Sequence, residues 1–189
     1  GRVFSLKCYE IPADVSRTGK GTAVINLFPV TEGEKVTAMV DVSNFPPEHY
    51  LLMITGKGEI KKTRAESFAS VRSSGIIAMN LPENDELIYA CMATDEDDVI
   101  IVTQEGKANK FSVAQLRTAS RTSGGVRGIR LRKGDKVVGM DVAYPETYLL
   151  VVTSGGYGKL TPVEEYPKHR RGGGGVFTFK VIEKTGLIA

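Results

Sequence analysis

The chain has 189 residues, 41% apolar and 25% charged, with no tryptophan, so it is long enough to bury a core built from Val, Ile, Leu and Met. Cys8 and Cys91 have no motif spacing and read as reduced structural thiols, which excludes a disulfide scaffold. No apolar run exceeds about six residues and no charged-then-apolar leader opens the chain, so we expect a soluble cytoplasmic protein with neither signal peptide nor membrane span.

In chain order, residues 1–6 look like the tail of a unit whose first strand is missing. Gly21 then opens an alternating stretch, with Ile25 and Leu27 predicted inside and Asn26 outside. A further apolar run at 36–40 and a polar connection at 44–47 complete this unit. From residue 50 the order is repeated in full. Residues 50–55 are an apolar run ending in Thr, suited to a strand buried on both faces. Gly58 sits where a tight hairpin needs positive φ, and residues 59–63 return as the paired strand.

Gly75 opens the next alternating stretch (Met79 and Leu81 inside, Asn80 outside), followed by the apolar run 87–91 and the connection 94–98. The third unit places its run at 99–103, its hairpin at Gly106 and its return at 107–111. Gly125 then leads to Ile129 and Leu131 inside and Arg130 outside, with a run at 137–140 and a connection at 144–147. The fourth places its run at 148–153 and its hairpin at Gly156; after Gly175 come Phe179 and Val181 inside, Lys180 outside, and a last run at 187–189. Short helical turns are expected only at 66–71 and 113–117.

Four strands per period of about fifty residues, none able to bury its apolar face alone, predict an all-β, propeller-like array of about four four-stranded blades. With no linker inside it, residues 1–189 are expected to form a single domain of units 1–49, 50–98, 99–147 and 148–189.

Enzyme readings find little support. The stretch 153–160 glances at a phosphate loop, but Thr153 stands at its first glycine position and Leu160 follows Lys159. His49 and His169 have no second ligand at metal spacing. The seven acids between Glu83 and Asp98 suit a solvated edge better than an acid/base pair.

Charge is more informative when it is divided by unit. The four units carry 5, 5, 9 and 6 basic residues against 6, 9, 4 and 3 acids, so the halves differ as −5 and +8. Basic residues concentrate between each hairpin glycine and the end of the alternating stretch, and residues 107–133 hold eight with no acid. In a ring of equivalent units such a sector becomes a stripe around the rim, a pattern suited to bent duplex phosphate. The candidate contacts are Lys110, Arg117, Arg121, Arg127, Arg130, Arg132, Lys159, Lys168, Arg170, Arg171 and Lys180. Reversing Arg121, Arg127, Arg130 and Arg132 is expected to weaken binding more than reversing Lys57, Lys61, Lys62 and Arg64. No recognition helix or aromatic platform suggests base readout.

The hairpin glycines, the segments 9–12 and 17–21, the segment 153–167 and Arg170-Arg171-Gly172-Gly173-Gly174-Gly175 together resemble the C-terminal domain of bacterial DNA gyrase A, part of a type IIA topoisomerase. The resemblance implies a β-pinwheel, a disc whose blades exchange strands, usually six of them, wrapping duplex DNA on its basic rim in support of ATP-dependent negative supercoiling. It implies no catalytic residue, cofactor or metal in this domain. ATP and Mg2+ would act elsewhere in the parent enzyme, whose other parts, the remainder of gyrase A together with gyrase B, would be the partners. Residues 169–175 resemble a degenerate copy of the family's wrapping motif, with His169 for its glutamine and Gly174 for the basic residue that precedes its last glycine. The related domain of topoisomerase IV shares the fold. A propeller-type protein-interaction platform, using the acidic connections, is the alternative from another class.

Overall fold

The computed structural model describes residues 1–13 and 16–189. Its strands, in chain order, are β1 (Arg2–Val3), β2 (Tyr50–Thr55), β3 (Glu59–Arg64), β4 (Ile76–Ile77), β5 (Leu87–Ala93), β6 (Asp98–Thr103), β7 (Lys107–Ser112), β8 (Val126–Arg127), β9 (Val137–Val142), β10 (Tyr148–Val152), β11 (Gly158–Pro162) and β12 (Val176–Phe177). Short 3-10 turns, including Ala65–Phe68 and Val113–Gln115, lie between them. No helix among the described residues is long and apolar enough to cross a membrane.

Three antiparallel hairpins, β2–β3, β6–β7 and β10–β11, organise the fold. Their turns take Gly58, Gly106 and Gly156 to φ of 82°, 86° and 78°, a region that a Cβ disfavours. The threonine that ends each first strand, or in β10 directly follows it, locks the turn. Its carbonyl accepts from the glycine N–H (Gly58 to Thr55 3.0 Å, Gly106 to Thr103 3.1 Å, Gly156 to Thr153 2.9 Å) and its hydroxyl accepts from a later N–H at 3.2–3.3 Å. The third apolar run then pairs with the first, β5 with β2 and β9 with β6.

The fourth strand of each complete sheet comes from the following unit. β8 pairs with β3 and β12 with β7, giving the orders β5-β2-β3-β8 and β9-β6-β7-β12; β4 pairs likewise with β1. β5 packs against β9, so these strands lie where the blades meet, and the exchanged strands occupy the opposite, outer edge. Both faces of β2 and β6 are thereby buried. Leu52, Ile54 and Ile60 meet Val99, Ile101, Phe111 and Met140 in one core; Ile100 and Val102 meet Val151, Val163 and Tyr166 in the next.

Several expectations need correction. The stretches after Gly75, Gly125 and Gly175 are two-residue strands, because Arg127 already pairs with Glu59, the first residue of β3, and no ladder remains beyond it. Met79 and Ile129 still plug the core, and Asn80, Arg130 and Lys180 point outward as expected. In the first unit Val24–Asn26 is a 3-10 turn, Ile25 is 65% exposed and residues 36–40 form no strand; no returning strand among the described residues pairs with this stretch. The final run contributes only an isolated bridge, Ile188 to Thr153. β10 is buried on one face alone, leaving Tyr148 and Leu150 more than half exposed where the equivalent face of β6 meets the following unit.

Candidate nucleic-acid interface

A seven-residue loop leads into each exchanged strand of the two basic units. In the third unit the chain runs parallel to β3 at the bridge Thr118–Lys62, where Ala119 N–H donates to the Lys62 carbonyl at 2.8 Å. It swings out through residues 119–125 and returns antiparallel where Val126 faces Ile60. The fourth unit repeats this on β7. Lys168 bridges Lys110, His169 N–H donates to the Lys110 carbonyl at 2.8 Å, residues 169–175 swing out, and Val176 faces Ala108. At Gly175 the approach is so close that any Cβ would collide with the Ala108 carbonyl.

The fourth unit's loop docks on the third unit's outer edge. Gly172 N–H donates to the Gly128 carbonyl and Arg130 N–H to the Gly173 carbonyl, each at 2.8 Å. Arg171 reaches across with Nη1 to the Arg127 carbonyl at 2.7 Å, while its N–H donates to Gln115 Oε1 at 2.9 Å. Arg127, Arg130, Arg170 and Arg171, from two units, are therefore brought together along one seam. The side chains of Arg117, Arg127, Arg130, Arg170 and Lys180 are exposed and that of Arg121 is half exposed; none has a side-chain hydrogen bond or ion pair among the described residues. Planar guanidinium groups without internal partners are suited to charge-assisted contacts with phosphate.

Other sequence-predicted contacts are already engaged. Lys110, half buried, donates Nζ to the Val163 carbonyl at 2.9 Å, and Lys168 pairs with Asp98 at 2.8 Å. Arg132 lies 5.7 Å from the Phe177 ring centre, with Lys107 at 3.5 Å, and Lys159 lies 5.9 Å from the Phe179 ring. Lys61 and Lys62, two of the four residues chosen as charge-reversal controls, are buried. Lys62 pairs with Asp95 at 2.5 Å over the Tyr50 ring. Lys61 is 2% exposed, and burial, with Arg121 nearby as the lesser cause, pulls its ammonium down to about 8. Gln115, which holds Arg171 and also donates to the His169 carbonyl, carries no sequence signal that would have singled it out.

The inner strands have the opposite character. Asp141 on β9 is the main cause that raises the Tyr89 phenol on β5, and burial, reinforced by Asp141 and Asp97, pushes the Cys91 thiol up to about 12. Such a thiol is unreactive at neutral pH, and both cysteines are free. Negative charge thus sits toward the centre and the unpartnered guanidinium groups at the outer edge.

A family model described as DNA gyrase C-terminal domain, beta-propeller, matches residues 1–43, 49–90, 97–143 and 147–181. The DNA gyrase A of Dehalogenimonas lykanthroporepellens is 55% identical over 189 residues, which cover 100% of this chain and 23% of that protein. The DNA gyrase A of Staphylococcus epidermidis is 41% identical over 191 residues, covering 100% and 21%. The chain therefore spans less than a quarter of these relatives. A solved DNA gyrase A C-terminal domain superposes with a TM-score of 0.86 at 25% identity, covering 100% of this chain and 60% of that one. The C-terminal domain of a DNA topoisomerase IV shares the fold, with a TM-score of 0.80 at 22% identity over 89% of this chain and 53% of that one.

Proposed function

This chain belongs to the DNA gyrase C-terminal domain family, and from that premise we propose that it binds duplex DNA without sequence preference and wraps it along the outer edge. The observation that carries this reading is the seam where unpartnered guanidinium groups from consecutive units converge, Arg127 and Arg130 with Arg170. Contacts of this kind position a phosphate backbone and carry no base information. A curved edge offering them at successive blades favours a bent duplex over a straight one, so preference should follow deformability. The longest helical segment among the described residues, Ala65–Phe68, is too short to serve as a recognition helix.

In the parent enzyme the wrapped segment would be presented to the remainder of gyrase A and to gyrase B for ATP-dependent negative supercoiling in the bacterial cytoplasm. On this reading residues 1–189 act as one wrapping domain that supplies no catalytic group, while ATP and Mg2+ act at sites outside it. The test is ligation of a nicked circular duplex in the presence of the chain. Wrapping shifts the topoisomer distribution in one direction as protein is added; an unchanged distribution at saturating protein would rule wrapping out.

A further inference from the structure

Lys61 heads the fully buried side chains by size, yet no carboxylate among the described residues pairs with it. A buried ammonium is tolerated only when its donors are satisfied. Its three N–H groups donate to three carbonyls: Arg121 at 2.7 Å and Ser123 at 2.9 Å from the incoming loop 119–125, and Ala78 at 2.8 Å from its own unit's outer edge. The loop therefore closes around this side chain. A methionine would fill similar space without the desolvation penalty, so the charge is an expensive choice for packing alone.

The next junction repeats the arrangement with different chemistry. Lys61 and Asn109 each stand three residues after a hairpin glycine, and Asn109 is fully buried. Its Nδ2 donates to the Gly128 carbonyl at 3.1 Å and the Arg170 carbonyl at 3.4 Å. Ala78 and Gly128 each stand three residues after Gly75 and Gly125. Both side chains thus tie the outer edge of their own unit to an arginine of the incoming loop.

We infer that Lys61 and Asn109 are positioning residues, hubs that hold the incoming loops so that Arg121 and Arg170 face phosphate. The inference rests on the DNA-binding reading above. Gripping the loop by its carbonyls leaves the guanidinium groups outward, and the third donor of Lys61 secures a loop with two glycines where Asn109 secures one with four.

The test measures duplex affinity against salt, together with urea unfolding, for Lys61→Met, Lys61→Asn, Arg121→Ala and the double variant Lys61→Met/Arg121→Ala. Folded Lys61→Met should lose the Arg121 contact, its log–log salt slope becoming shallower by about 0.9, the value of one phosphate. The double variant should bind no more weakly than either single one, and Lys61→Asn should recover most of the affinity. Wild-type affinity and slope for folded Lys61→Met, beside a weakened Arg121→Ala, would overturn the hub while leaving the DNA-binding reading intact. Where Lys61→Met does not fold, Asn109→Ala with Arg170→Ala reads the same coupling one junction along. Unchanged binding by both Arg121→Ala and Arg170→Ala would overturn the reading of the loops and the hub with it.

Discussion

Gly106 and Gly156 occupy equivalent hairpin turns at φ of 86° and 78°, with the same threonine hydrogen bonds, yet their surroundings differ. A Cβ at Gly156 would meet nothing within 4 Å, whereas one at Gly106 would lie inside the contact distance of the Phe179 carbonyl, part of the backbone arriving from the next unit. Alanine at either position carries the left-handed penalty of about 1–2 kcal/mol, and its effect on the unfolded chain is the same at both, so that contribution cancels in the comparison. Gly106→Ala must also displace a strand that bonds to the Gly106 carbonyl through Thr178 N–H at 2.9 Å, an overpacking cost of about 1–3 kcal/mol more. We therefore expect losses of about 2–5 kcal/mol for Gly106→Ala and about 1–2 kcal/mol for Gly156→Ala. Gly58→Ala should fall between, since its nearest neighbour would be Ile129 Cγ2 at 3.1 Å. Urea unfolding with a common m-value measures all three. Equal losses at Gly106 and Gly156 would refute the idea that strand exchange, and not the turn alone, requires glycine there.

Charge reversal of Arg121, Arg127 and Arg130 should weaken duplex binding far more than reversal of Lys57, Arg64 and Arg72, three exposed cations of the acidic half; comparable losses in a binding titration would refute the localisation. Lys61 and Lys62 are unsuitable controls because both are buried. Gly174→Arg should raise affinity several-fold without loss of stability, since a Cβ there meets nothing within 4 Å and Gly174 is not among the positive-φ glycines; unchanged affinity would place this loop away from the phosphates. The Glu34 carboxylate, held by Arg2 at 2.8 and 2.5 Å and by Thr31 N–H at 3.0 Å, is lowered from 4.5 to about 2, chiefly by the Arg2 hydrogen bonds. Its contribution to stability is complete above pH 4.5 and is lost as pH falls toward 2. The stability gap between wild type and Glu34→Gln should close over that window, and a gap independent of pH would show that the pairing does not persist in solution.

The hairpins were legible because each is signalled locally, by an apolar run, a threonine and a glycine within a few residues. Strand exchange has no such local signal and was expected only from the family resemblance. Val126 pairs with Ile60, sixty-six positions earlier, through a strand only two residues long, and a segment of that length has no periodicity to detect. The basic sector was visible as density, but its sorting into free and engaged groups depends on partners that only the fold supplies: Asp98 for Lys168, the Val163 carbonyl for Lys110 and a ring for Arg132. Lys61, chosen from the sequence as one of four charge-reversal controls, is buried; lysine as a rule stays in water, and the exception is made by carbonyls of a loop sixty residues away.

The salt dependence of duplex binding by this chain tests the basic outer edge most directly. Six candidate cations, Arg117, Arg121, Arg127, Arg130, Arg170 and Lys180, are exposed or partly exposed and have no internal side-chain partner among the described residues. If all six meet phosphates, log affinity for a mixed-sequence duplex should fall against log salt with a slope of about −5 and be nearly the same for unrelated sequences of similar flexibility. A slope near zero, or binding that survives high salt on one sequence alone, would contradict it.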